Sequence, residues 1–308
     1  MENNQSWGLV LSGGGAKGAY QIGVWKAMRE LHMEDWIEGI SGSSIGSLNG
    51  ALFACGDYEK AEDAWSQVNM LSVFDLDWAL IDGKEGTFSR EEMLTLIRHY
   101  LDFSKLTQSD RPIYCSVSRV LPGRKYAGEY KRLDGKTQYA IEQILMASSA
   151  LPMIHEAVDY EGVLYRDGGL TDNCPIQPLY ELGFRKIIVI GLSAEMKQLE
   201  QKYPDVEFRS IYPSRTLGNL FDGVLNFRQM YIEFGEKLGY KDGLRMFRAY
   251  EQGEADMVTM QQLAEQDFQE IMVDMKQAEL QYQVDSHMDK LDGILNRYGI
   301  DLYERNDT

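Results

Sequence analysis

The chain has 308 residues, 44% of them hydrophobic, and a formal net charge of −17. That length and apolar content allow one large core or a core with an appendage. The acidic balance argues against nucleic acid as a partner and against tight binding to anionic membrane surfaces. No apolar run reaches the length of a transmembrane helix, and the N-terminus lacks a basic, then apolar, leader. Three dispersed cysteines, Cys55, Cys115 and Cys174, fit a reduced compartment and no CxxC metal site. The expected location is therefore cytoplasmic.

Residues 7–12, WGLVLS, read as a buried strand that ends at Gly13-Gly14-Gly15. Helical spacing of Ala19, Ile22, Gly23, Ala27 and Leu31 follows across 16–31. The loop Gly13–Gly18 formally matches G-x-G-x-x-G, the dinucleotide fingerprint, but no Lys-Ser or Lys-Thr follows to make a P-loop. The dinucleotide reading also requires an acidic residue about 20 residues on, after the second strand. A serine-bearing turn stands there instead. Consecutive glycines at a strand end expose several backbone N–H groups in one concavity, which suits an oxyanion hole, with Lys17 adding positive charge at its rim.

The second strand leads from Ile37 and Ile40 into Gly42-Ser43-Ser44-Ile45-Gly46. This is G-x-S-x-G, in which a serine occupies a sharp strand-to-helix turn at a helix N-terminus. The glycines are needed because such a turn leaves no room for side chains beside the serine. Residues 57–70 read as a helix, 71–88 as a packed irregular loop around Phe74 and Trp78, and Ser89-x-x-Glu92 as a capping box opening a helix over 90–101. Residues 111–120 and 124–133 read as a hairpin joined at Pro122-Gly123, and 137–150 as a helix stopped by Pro152. A second hairpin over 156–166 delivers Asp167-Gly168-Gly169 at its end. Residues 186–192, KIIVIGL, read as a buried strand of a parallel sheet, and 208–213 as one more. From Leu217 the spacing predicts glycine-punctuated helices over 217–234 and 241–251, then a long polar helix over 254–298.

The ordered set Gly13–Gly18, Ser44 within G-x-S-x-G and Asp167 within D-G-G resembles the patatin-like phospholipase family. Ala147-Ser148-Ser149-Ala150-Leu151-Pro152, Asn173-Cys174-Pro175-Ile176 and Gly239-Tyr240-Lys241-Asp242 resemble it too. The resemblance covers about residues 7–192. It implies an α/β fold, a three-layer α/β/α sandwich around a mixed, mainly parallel sheet. The corresponding division is a catalytic domain over 1–212 and a helical layer or lid over 213–308. It further implies a lipid acyl hydrolase with Ser44 as nucleophile and Asp167 as its direct proton acceptor. Gly14 and Gly15, with Lys17, would hold the oxyanion, and Gly13, Gly18, Gly42, Gly46, Gly168 and Gly169 would shape the turns. The implied partner is a lipid or acyl-ester substrate met at most in transient contact with a membrane surface, and no metal or organic cofactor is implied.

Bottom-up chemistry fits. A serine needs a base to take its proton, and an aspartate becomes a better base when desolvation raises its pKa. Of the four histidines, only His287 follows Asp167, in a polar helical tract expected to be solvated, while His155 is given a structural role. Two alternatives stand beside the hydrolase: a dinucleotide-binding oxidoreductase through Gly13–Gly18, and a catalytically silent scaffold that binds partners.

Overall fold

The structure, a computed structural model, describes residues 6–68, 90–152, 154–253 and 256–298. The packed loop expected over 71–88, and Ser89 of the capping box, lie outside them. In chain order the strands are β1 (Trp7–Leu11), β2 (Ile37–Ser43), β3 (Ile113–Leu121), β4 (Lys125–Arg132), β5 (Val158–Tyr160), β6 (Val163–Asp167), β7 (Lys186–Ile190) and β8 (Glu207–Ile211). The helices are α1 (Ala19–Glu30), α2 (Ile45–Cys55), α3 (Tyr58–Val68), α4 (Arg90–Tyr100), α5 (Phe103–Thr107), α6 (Gln138–Ser148), α7 (Gln177–Glu181), α8 (Gln229–Gln252) and α9 (Met257–Tyr298).

The strands form one sheet in the order β5-β6-β3-β2-β1-β7-β8, with β4 on β3. The middle is parallel, through β3-β2-β1-β7-β8. The flank is antiparallel, through β4, β6 and β5. This is the mixed, mainly parallel sheet that the sequence implied. β1 is buried along its whole length and β7 beyond its first residue, because helices cover both faces. On one face Gly50 of α2 lies over Ile40 and Leu11. On the other, Leu179 and Phe184 cover Gly8 and Gly39, and Val10, Ile187 and Val189 pack with Cys174 and Ile176.

The chain divides into two compact units, 1–264 and 265–308. In the first, α8 runs unbroken over 24 residues, where the glycine pattern had suggested two helices. Its glycines are not breaks. A Cβ on Gly239 would lie 2.0 Å from the Tyr20 carbonyl oxygen, and one on Gly23 would lie 1.9 Å from that of Glu236. Gly235 and Gly243 continue the same stripe against Ala19 and Ala27. The spacing lets the α1 and α8 backbones touch, and this contact, not helix termination, is what the glycines serve. The expected helix over 217–234 is also different. Residues Leu220–Val224 form a short π-helical turn, and α8 begins only at Gln229.

Candidate active site

Ser44 lies between the last residue of β2 and the first of α2, with φ 53° and ψ −125°. A non-glycine residue at that φ is strained by roughly 1–3 kcal/mol and persists only where its surroundings hold it. Here the crowding is visible. A Cβ on Gly42 would meet the Gly46 carbonyl oxygen at 2.3 Å, and one on Gly46 would meet that of Leu11 at 2.2 Å. Only glycine fits at either place. Ser44 stands at the helix N-cap, yet its hydroxyl makes no capping bond. It donates instead to Asp167 Oδ2 at 2.6 Å.

Asp167 ends β6 and is paired in register with Val117 of β3, so the antiparallel flank delivers it beside the parallel centre. It is 3% exposed. Its second oxygen, Oδ1, accepts from the Gly169 amide at 2.8 Å. Burial pushes its pKa up to about 6, against the pull of the Ser44 and Gly169 donors. No cation is among the causes of the shift. The result is a desolvated carboxylate, poised near neutral pH, bonded to a serine hydroxyl.

The glycine loop closes the third side. A Cβ on Gly13 would lie 3.0 Å from Ser44 Cβ. Asn173 grips Gly13 twice: its carbonyl accepts from the Gly13 amide at 3.1 Å, and its Nδ2 donates to the Gly13 carbonyl at 3.1 Å. The amides of Gly14 and Gly15 make no hydrogen bond to the described residues, and both glycines line the same cavity as Ser44 and Asp167. Donors left open beside a serine hydroxyl are suited to a developing oxyanion. Gly18 and Gly168 are packing positions, against Ile45 and the Ser116 carbonyl.

Lys17 is placed elsewhere. Its ammonium donates to the Gly218 carbonyl at 2.5 Å, its Cε packs at Gly223, and it is not part of the cavity lining. Burial lowers its pKa, with Asp222 opposing. It fastens the 217–225 segment to the glycine loop rather than charging the rim of the site. The reason is the fold of that segment, whose Val224 carbonyl oxygen occupies the space 2.2 Å from where a Gly15 Cβ would be.

Two contributors were not assigned a role from the sequence. Ser148, at the end of α6, donates to the Ser116 carbonyl at 2.7 Å and accepts from the Ser44 amide at 3.0 Å. Since its own proton is committed to that carbonyl, the Ser47 hydroxyl donates to it at 2.7 Å. One hydroxyl thus fixes the elbow and removes the Ser44 amide from the oxyanion donors. Asn173 is the second. Their only sequence signal was the resemblance of the stretches that contain them. His155 lines the cavity, but Asp167 is what receives the Ser44 hydroxyl, and His287 is exposed on α9.

A cavity of about 390 Å³ opens at this centre, lined by the buried Leu52, Trp65, Ile97 and Tyr100 with Leu48, and by the exposed Leu170 and Leu220 with Leu151 and Phe227. Its size falls within the usual range of ligand pockets, and its walls are overwhelmingly apolar.

The site is thus a serine on a strand-to-helix elbow of a mixed α/β sheet, bonded to a buried carboxylate. A family model described as patatin-like phospholipase matches residues 9–180, and the chain belongs to that family. The chain is 28% identical over 205 residues to a protein named lysophospholipase NTE1 from Cryptococcus neoformans, covering 65% of this chain and 12% of that one. It is 28% identical over 206 residues to lysophospholipase nte1 of Aspergillus terreus, covering 65% and 13%. An uncharacterised NTE family protein of Mycobacterium tuberculosis is 26% identical over 185 residues, covering 60% and 48%. The matched region is thus about an eighth of the length of the fungal relatives. Among solved structures, VipD from Legionella pneumophila aligns with a TM-score of 0.47 at 16% identity over 80% of this chain and 67% of that one. ExoU of Pseudomonas aeruginosa, in its complex with SpcU, aligns at 0.48 and 15% identity over 96% and 63%.

Proposed function

We propose that this protein hydrolyses carboxylic esters of lipid acyl chains, of the phospholipid or lysophospholipid kind, through a Ser44–Asp167 dyad. The observation that carries the reading is the 2.6 Å bond from the Ser44 hydroxyl to a carboxylate that is 3% exposed, at the head of an apolar cavity. Ser44 Oγ attacks the ester carbonyl while its proton passes to Asp167 Oδ2. The carbonyl oxygen, now negative, takes the Gly14 and Gly15 amides, each such donor supplying about 3–4 kcal/mol of transition-state stabilisation. Collapse expels the alcohol, which receives the proton from Asp167 and leaves an acyl-Ser44. Water, deprotonated by Asp167, then attacks the acyl carbon, and collapse returns the proton to Ser44 and releases the fatty acid.

Within the helical part beyond residue 213, Leu220, Val224, Leu225 and Phe227 line the cavity and serve as a cover over the site. No helix among the described residues is long and apolar enough to cross a membrane. Three buried thiols without a disulfide suit a reducing compartment, and we place the protein on the cytoplasmic side on that basis. The dinucleotide reading is disfavoured by the loop itself, which is packed against Ser44 on one side and Val224 on the other.

The test is labelling with a fluorophosphonate, compared among wild type, Ser44→Ala and Asp167→Asn, followed by turnover on acyl-glycerophospholipids and p-nitrophenyl esters. Labelling at Ser44 alone, lost in both variants, supports the dyad. A folded wild-type protein that neither labels nor turns over an ester would favour the silent scaffold.

A further inference from the structure

We propose that the inner arm of the cavity holds the substrate's acyl chain along α2, and that Leu52 and Leu101 at its closed end act as a ruler limiting that chain to about ten carbons. This rests on the ester-hydrolase reading above and adds the chain length to it.

The inner arm starts at the reacting serine. Ser44 stands at the N-terminus of α2, and Leu48 and Leu52 follow on the lining face at one-turn spacing. α3 and α4 supply the opposite walls, with Trp65 and Tyr100 as their largest members. The walls are apolar because every polar tip in this arm is turned onto a protein partner. Trp65 Nε1 donates to Asn49 Oδ1 at 3.0 Å, Asn49 Nδ2 donates to the Gly18 carbonyl and Gln21 Oε1, and the Tyr100 hydroxyl donates to Asp63 at 3.1 Å. Among the described residues, nothing in the arm is left to bind a polar head group. The polar side chains Ser149, His155 and Asn173 also line the cavity, none of them on α2, α3 or α4, and among the described residues the Ser149 hydroxyl has no partner. The alcohol half of the ester therefore belongs beside them and the acyl half in the inner arm.

The inner arm also ends. Leu52 and Leu101 are 8% and 6% exposed. One turn below Leu52, the Cys55 carbonyl accepts from Lys105 Nζ at 2.5 Å, and the Cys55 thiol meets the Asp102 carbonyl at 3.6 Å. Among the described residues these bonds tie the C-terminal end of α2 to the start of α5, beside the two lining leucines. Ser44 to Leu52 is about 12 Å at a helical rise of about 1.5 Å per residue. An extended hydrocarbon advances roughly 1.25 Å per carbon for bonds near 1.5 Å, so about ten carbons fit. Within that length each methylene withdrawn from water raises kcat/KM by up to about fourfold, and beyond it the surplus chain is crowded against the floor and kcat/KM falls.

The experiment is a series of p-nitrophenyl esters from four to sixteen carbons, read as kcat/KM for wild type, Leu52→Phe and Leu101→Ala, with fluorophosphonate labelling run beside it. Wild type should climb to a maximum near ten carbons and fall several-fold by sixteen. Leu52→Phe should move the maximum to shorter chains by about two carbons, and Leu101→Ala to longer chains by about two, because its three deleted carbons open the floor. A profile with no maximum, or a maximum that stays put in both variants while labelling persists, overturns the ruler. Wild type that neither labels nor hydrolyses any ester overturns the hydrolase reading beneath it.

Discussion

Two buried aspartates, Asp167 at the elbow and Asp242 at the α1–α8 contact, show how one residue type serves opposite ends. Both are almost wholly withdrawn from water, at 3% and 0% exposed, and burial raises the pKa of both. Asp242 is then surrounded by donors. Arg245 bonds to Oδ1, and the Tyr20 hydroxyl and Ser214 amide bond to Oδ2 at 3.1 and 2.8 Å. It joins α8 to α1 and to the segment after β8. Among the described residues, Asp167 receives only the Ser44 hydroxyl and one amide, with no cation. A carboxylate with a guanidinium beside it is a fastening, while one left desolvated and under-supplied with donors is suited to act as a base.

The comparison is broken most directly by making one substitution at both places. Asp167→Asn should lower ester turnover by a factor of about 10³–10⁴, since the serine loses its proton acceptor. Yet it should not destabilise the fold at pH 8. Folding raises this carboxyl from its ordinary value near 3.8 to about 6. Its stabilising contribution is therefore complete below about pH 4 and lost as pH rises through about 6, on the order of 3 kcal/mol. A neutral amide escapes that loss, so chemical denaturation at pH 8 should find Asp167→Asn at least as stable as wild type. Asp242→Asn should do the reverse. It removes the carboxylate charge paired with the guanidinium of Arg245, 8% exposed, and should lower the unfolding free energy by about 3 kcal/mol, while folded protein still labels at Ser44. Equal destabilisation by the two changes would remove the distinction.

Smaller effects sharpen it. Ser148→Ala should reduce kcat by about 10–100-fold with KM little changed, because it loosens the elbow without touching the cavity walls. A threonine at 148, which keeps the hydroxyl, should recover part of that loss. A pure KM effect would show that Ser148 acts on substrate instead. Both Ser44→Ala and Ser44→Gly lose the bond to Asp167, but only glycine relieves the positive φ. The glycine variant should be the more stable of the two by about 1 kcal/mol, measured as the difference in denaturation midpoint.

What the sequence revealed follows from how local each feature is. The strand–glycine loop–helix unit, the elbow and the D-G-G turn are written in contiguous residues, and the structure brings Gly13–Gly15, Ser44 and Asp167 to one cavity. The bonds that hold them there span long separations. Ser148 reaches Ser44 across 104 residues, and Asn173 reaches Gly13 across 160. No periodicity reports such pairs. The Lys17 contact is of the same kind, since its ammonium bonds to the Gly218 carbonyl, 201 residues away. The glycines of α8 failed differently. Gly235, Gly239 and Gly243 carry the composition of a helix break, and only the close α1 backbone shows that they serve a crossing. Local pattern fixes where a turn or helix can form, and tertiary contact decides what its small residues are for.

The most direct test of Asp167 as the base is the pH dependence of the second-order rate of fluorophosphonate labelling of wild type, from pH 4 to 9. A carboxylate that must be ionised to accept the Ser44 proton, with its pKa raised by burial to about 6, predicts labelling that falls tenfold per pH unit below about 6 and levels off above it. A rate flat down to pH 4.5, or one that titrates with the ordinary carboxylate value near 4, would contradict the account.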